Sequence, residues 1–277
     1  MTGLRTLVQI EWIKIRSRPA VWISTLIFTG LVGLLFAAPL YLAIQGGQTP
    51  TAFPEAWHNI FGGIPPLGLF FTGAVVIFLI SSEFGWRTAR QNIIDGLARG
   101  EWFRAKIGAL VLIVALFCGI QLVVGGAFGI IGTVLAGPGE GPIIRATDLA
   151  SLGGFGLGVL GIASLAFAIA FLARGSGSAL AIFFLYISAG EGVITALLNR
   201  VELLAPLARY LPVTVFGALQ QRETFDPEYH ALLTELSLEA GHTPPLPVNT
   251  PLTIALGCIY TAALIGAAYL VYRRRDL

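Results

Sequence analysis

The sequence predicts an all-α polytopic membrane protein: six transmembrane helices, an N-terminal interfacial helix, a cytoplasmic helical segment between spans two and three, and short external helices between spans five and six. Three observations carry this. First, 56% of the 277 residues are hydrophobic and only 12% are charged, about half the charge of a soluble domain, and the mean hydropathy is +0.81. Second, six apolar runs approach or exceed the roughly 20 residues that cross a hydrocarbon core; they cover 20–44, 67–82, 107–136, 149–173, 178–198 and 252–272. Third, the basic residues alternate between loops. Arg5, Lys14, Arg16 and Arg18 precede span one, five more lie between spans two and three, and Arg273, Arg274 and Arg275 close the chain. Because Lys and Arg collect on the cytoplasmic side, this places both termini inside. The net charge of +2 matters only through that asymmetry, and nothing in it points to nucleic acid. The chain reads as a single membrane domain over 1–277, without repeats.

Residues 1–19 form the interfacial helix. In "LRTLVQIEWIKIRSRPAVW", Leu4, Leu7, Val8, Glu11, Trp12 and Ile15 recur at three-four spacing, with the basic residues largely on other faces. Such a helix lies in the headgroup plane, so Glu11, Trp12, Lys14, Arg16 and Arg18 are read as an interfacial anchor. Pro19 permits the bend into span one. The apolar run from Ala20 exceeds the 7 to 15 residues of a signal h-region, so it is expected to stay as a membrane anchor.

Span two is short unless it begins near Phe61, ahead of Pro65 and Pro66. Span three is longer than a crossing needs, so it tilts or projects into the cytoplasm. Spans four and five, separated by "RGSGS", form an antiparallel hairpin. Cys118 and Cys258 fall inside spans and read as small packing residues. The glycines of "GGAFGIIG" in span three read as sites of close helix approach.

The segment 81–106, "SSEFGWRTARQNIIDGLARGEWFRAK", is a charged, helix-forming island between two apolar runs, with five of the seventeen basic residues. Apolar Ile93, Ile94, Leu97, Trp102 and Phe103 accompany the charges, which a merely solvated loop would not need. Arg87, Arg90 and Arg99 suit docking, because a guanidinium holds two acceptors at once and keeps its charge. The one sizeable external excursion is 199–250. Within it "LLAPLARYLPVTVFGALQQ" is broken by Pro206 and Pro212 into two short interfacial helices. The acidic, proline-rich stretch 222–248 is expected to be a surface loop.

Glu191 is the one acid well inside a span. Counted from Ser178 at about 1.5 Å per residue, it lies roughly 20 Å across a core of about 30 Å. It either lines a path or subunit interface on span five, or is a protonated or snorkelling residue near the outer boundary; the sequence leaves both open.

Taken in order, "EWIKIRSRPAVW", "EFGWRTARQNIIDGLARGEWFRAK", "YLPVTVFGAL" and the terminal "YRRRDL" resemble permease subunits of ABC transporters of the ABC-2 export class. The resemblance spans essentially the whole chain. It implies a permease that pairs with a second permease subunit, identical or related, and with P-loop ATP-binding subunits. It also implies a coupling helix seated on the ATPase, falling by position on Arg87–Arg99 within a coupling segment at 83–106, with Glu83 and Lys106 at its membrane flanks. Glu83, Arg87, Arg90, Asp95, Arg99 and Lys106 are then the ATPase-coupling residues, and Glu11 and Lys14 match N-terminal family positions. ATP and Mg are expected in the partner, with no cofactor or metal bound by this chain: it contains no Gly-x-x-x-x-Gly-Lys-Ser/Thr.

An enzyme is a poor alternative. His58, His230 and His242 all fall in external segments, no His-Glu-x-x-His occurs, and Ser164 and Ser188 have no histidine base nearby. An ion-coupled carrier is the stronger rival, since Glu191 is an ionisable group inside a span. An ATP-driven permease requires a P-loop partner, whereas a carrier works alone on an ion gradient.

Overall fold

A computed structural model describes residues 4–62, 65–85, 94, 98–139, 141–173, 175–239 and 249–274. The order is α1 (Leu4–Arg16), α2 (Pro19–Gln45), α3 (Ala56–Gly62), α4 (Pro65–Gly85), α5 (Arg99–Ala136), α6 (Ala146–Ala173), α7 (Ser176–Leu185), α8 (Glu191–Leu198), α9 (Pro212–Leu219), α10 (Pro227–Glu239) and α11 (Thr250–Arg274). A π-turn, Tyr186–Gly190, joins α7 to α8, and 3₁₀ turns cover Ala205–Tyr210 and Arg222–Thr224. The described residues contain helices and no strands. Five helical segments are long and apolar enough to cross a membrane: α2, α5, α6, α7–α8 taken together, and α11; α4 has the shorter apolar stretch Gly68–Phe84. All but one fall within a few residues of the expected run; α5 begins at Arg99, where the apolar run was expected from 107.

Local signals explain where the helices begin. Pro19 supplies a preset φ and needs no amide partner at the first position of α2. At α5 the Ala98 N–H donates to Glu101 Oε2 at 3.3 Å, and at α6 the Arg145 N–H donates to Asp148 Oδ2 at 2.8 Å. In both, an acid three residues in satisfies an orphan amide and complements the positive helix end.

The bundle is organised around α6. Of its most apolar window 72% is buried, against 11% for α2, 11% for α7–α8 and 17% for α11. The peripheral helices therefore turn apolar side chains such as Leu26, Leu34, Val193 and Ile259 outward, as helices facing lipid do. Small residues let the core close. A Cβ at Gly161 of α6 would lie 2.1 Å from the Phe216 ring, and one at Gly132 of α5 would lie 2.1 Å from the Thr51 carbonyl oxygen. The glycine-rich stretch of span three thus serves packing.

Two expectations are corrected. The stretch 222–248 is not a loop throughout: Arg222–Thr224 is a 3₁₀ turn and Pro227–Glu239 is helical, while 240–248 lies outside the described residues. The reason is legible in "DPEY": Asp226 Oδ1 accepts the Tyr229 N–H at 3.2 Å, and Pro227 opens the helix. In α1 the stripe also differs. Leu7, Glu11 and Ile15 form the buried line, whereas Trp12 shares the exposed side with Ile10 and Ile13. The helix packs against α5, where Val8 reaches Gly108, leaving its other apolar face for the interface.

Candidate functional site

Where α1, α4 and α5 meet, four charged side chains converge. Lys106 is 1% exposed, Glu83 3% and Glu11 5%. An ammonium has three donors, and Lys106 Nζ donates to Glu11 Oε1 and Oε2 at 2.8 Å each and to Glu83 Oε1 at 2.5 Å. Lys14 Nζ, half-buried, donates to Glu11 Oε1 at 3.0 Å and to Glu83 Oε1 at 3.3 Å. Two carboxylates balance two ammoniums, which is the condition under which buried charge is tolerable. Burial pulls the Lys14 pKa down, yet the attraction of Glu83 and then Glu11 outweighs it and holds the group above the ordinary lysine value.

The node sits on a rigid base. Trp102, one turn before Lys106, is 1% exposed and stacks on Tyr272 of α11 with centroids 4.9 Å apart. Phe171 of α6 and Phe84 of α4 meet Trp102 edge-on, and Lys106 Nζ lies 5.2 Å from the Trp102 ring centroid. Alongside, Arg18 bonds the Ser82 hydroxyl, and the Trp22 indole N–H donates to the Arg16 carbonyl at 2.8 Å. The node thus joins two members of the interfacial-anchor set, Glu11 and Lys14, to two of the coupling set, Glu83 and Lys106. Arg99 is exposed at the start of α5, Trp12 and Arg16 are exposed on α1, and Arg87, Arg90 and Asp95 lie outside the described residues.

Glu191 has a different setting. The π-turn adds a residue to its span, rotating the following side chains by about 100° relative to an unbroken helix. This brings the buried Glu191 carboxylate to the start of α9, where Oε1 accepts the Val213 N–H at 2.6 Å and Oε2 accepts the Thr214 N–H at 2.9 Å. The Tyr186 and Thr214 hydroxyls add bonds of 3.0 and 3.1 Å. An anion here satisfies two orphan amides and meets the positive end of the helix. Glu191→Ala is expected to lower stability by on the order of 3 kcal/mol and to open 199–211 to protease. Glu191→Gln, which keeps one acceptor oxygen, should lose clearly less by thermal unfolding in detergent.

A second charged cluster lies at the opposite end of the bundle. Arg222, 1% exposed, donates to Asp226 Oδ2 from Nε at 3.2 Å, with Nη2 3.0 Å from the same oxygen. Its guanidinium also lies 3.5 Å from Glu55 and 3.7 Å from Asp148, and Arg145 approaches Glu55 at 3.4 Å. Tyr229, over which the Arg222 guanidinium sits, has its hydroxyl 2.7 Å from His58 Nε2. Sequence reasoning missed this cluster because its members come from four loops and helix starts. The one available signal was that Arg222 and Asp226 are four residues apart. Among the described residues no group of three or more His, Cys, Asp or Glu is placed to hold a metal ion.

The matched part of the chain contains the whole node. A family model described as ABC-2 family transporter protein matches residues 7–190, about two thirds of the chain, from the start of the buried line of α1 to the π-turn. A search of curated proteins found no match. Several apolar helices of spanning length stand with that match, so the chain belongs to the ABC-2 family transporter proteins, as a membrane-embedded permease of an ABC transporter.

Proposed function

We propose that this chain is the membrane-spanning subunit of an ATP-driven exporter, drawing its work from ATP hydrolysis in a separate P-loop subunit that also holds the Mg. The observation that carries the reading is the buried node of Glu11, Lys14, Glu83 and Lys106. It clamps α1 to α4 and α5, the two helices that the segment 86–98 connects in sequence, so force applied to that segment passes directly into α4 and α5. In this reading α4 is a sixth span, both termini are cytoplasmic, and the segment 83–106 seats on the ATPase through Arg87, Arg90 and Arg99. Asp95 belongs to the same segment, and Ile94, 66% exposed, is free for an apolar contact. A second permease subunit completes the transporter. Coupling requires that each nucleotide state favour one helix arrangement by differential contacts.

The rival reading, an ion-coupled carrier, would use the π-turn and Glu191. That carboxylate is already held by four donors in capping α9, which favours a structural role. The test is co-expression with an ATP-binding subunit. Wild type is expected to co-purify with it, Arg90→Glu with Arg99→Glu to lose it at least tenfold while still inserting in the membrane, and Arg209→Glu, far from the node, to retain it. Equal capture of all three contradicts the docking assignment.

A further inference from the structure

The end of the bundle remote from the node holds an open cavity of about 250 Å³ between the distal third of α2, the α2–α3 connection and the distal half of α5. This is close to the lower end of small-molecule sites, about 300 Å³. Its composition is divided. Phe36, Leu40 and Phe128 give an apolar floor, with Phe36 and Phe128 stacked at 6.1 Å and 17°. Gln48, Thr49, Thr51 and Asn59 give a polar rim. Among the described residues those four side chains make no hydrogen bond to protein, so their donors and acceptors are available to a ligand. Pro39, also on the wall, has no N–H to return to the carbonyl of Leu35, which adds a backbone acceptor beside the floor. None of the lining residues is charged.

The walls are fixed before any ligand arrives. The Phe53 N–H donates to Thr133 Oγ1 at 2.9 Å, the Gly139 N–H to the Phe53 carbonyl at 2.9 Å, and Gln121 Nε2 to the Ile60 carbonyl at 2.7 Å. Together these pin the connection and α3 onto α5. A Cβ at Gly129 would lie 2.7 Å from the Phe53 ring, so the close approach that shapes the cavity depends on glycine there. A preformed site loses little ordering entropy on binding.

From this division we infer that the cavity binds an uncharged amphiphile, a hydroxyl- or amide-bearing head on an apolar chain. The head bonds to Gln48, Thr49, Thr51 and Asn59, and the chain runs over Phe36 and Leu40 toward the exposed flank of α2 at Leu35 and Leu42. A phosphate, carboxylate or ammonium head finds no counter-charge here, and an unpaired charge resists leaving water. The site stands without the exporter reading; whether its ligand is a resident neutral lipid or a cargo is a separate matter of source.

The test uses the full chain in lipid nanodiscs and an alkyl maltoside carrying a diazirine in its chain. Labelling is expected to saturate and to map to peptides containing residues 36–59 and 125–129. Unlabelled dodecyl maltoside should displace it, and dodecyl sulfate or dodecyltrimethylammonium should not. Ala43→Trp, which fills the cavity, should reduce labelling at least fivefold. The exposed pair Gln48→Leu and Asn59→Leu, which leaves the packing untouched, should reduce it about as much with an unchanged thermal unfolding profile. Labelling that never saturates, that charged amphiphiles displace equally, or that survives the Gln48→Leu and Asn59→Leu pair overturns the proposal. Repeating the displacement with an ATP-binding partner and ATP separates the sources: a cargo is released on turnover and a resident lipid is retained.

Discussion

Lys106→Met is expected to cost the folded chain about 3–5 kcal/mol, because it removes the fully buried cation that Glu11 and Glu83 share while both carboxylates stay buried. Methionine fills nearly the same space, so the loss reads charge rather than packing. Adding Glu11→Gln and Glu83→Gln to the same chain should recover much of it, since neutralising the buried carboxylates together with their cation is far cheaper than removing the cation alone. Thermal unfolding in detergent, with size-exclusion chromatography to follow the monodisperse fraction, reads both. If the triple variant is no more stable than Lys106→Met, the four groups are not energetically one unit.

Arg222→Met is expected to have a loss of similar size, about 3–5 kcal/mol, because Asp148 and Asp226 stay buried without their cation. Arg222→Lys should fall between, since an ammonium cannot reproduce the planar fork. The same substitution moves a pH dependence. His58 is held below the ordinary histidine value first by burial and then by the Arg222 charge, with Glu55 opposing. On acidification the unfolded chain therefore takes up its proton before the folded chain does. The contribution of His58 to stability is full above its unfolded value of about 6.5 and is lost as pH falls from there toward the depressed folded value. Wild type should lose unfolding temperature between about pH 7.5 and pH 5.5, in the range where histidine titrates. Arg222→Met should show a smaller acid loss on its lower baseline, and His58→Gln should show almost none. An unchanged slope in His58→Gln would assign the dependence to other groups.

Much of the fold was legible because lipid imposes a simple rule: long apolar runs become helices, and the runs at 20–44, 149–173 and 252–272 needed only a residue or a few at each end to match α2, α6 and α11. The breaks at Pro206 and Pro212 likewise located the 3₁₀ turn and α9. What failed was reading proline and acidic density at 222–248 as loop, when "DPEY" carried a helix start. The candidate site was half legible. Glu11 and Lys14 were assigned to a lipid-facing anchor and Glu83 and Lys106 to a coupling segment, and single-chain periodicity gives no means of pairing residues 69 to 95 positions apart. Glu191 shows the same limit. Its depth in the span was readable, but its partners Val213 and Thr214 depend on the π-turn, which no spacing in the sequence announces.

The central claim is that the node transmits motion from the cytoplasmic segment to the far end of the bundle. The most direct measurement is the maleimide labelling rate of Thr49→Cys, in a chain with Cys118 and Cys258 replaced by alanine, reconstituted with an ATP-binding partner. The account predicts a severalfold change in rate on adding ATP, and no such change when Glu11→Gln, Glu83→Gln and Lys106→Met are combined in a chain that still binds the partner and hydrolyses ATP. An ATP-dependent rate that persists in that variant, or one that appears without the partner, would contradict it.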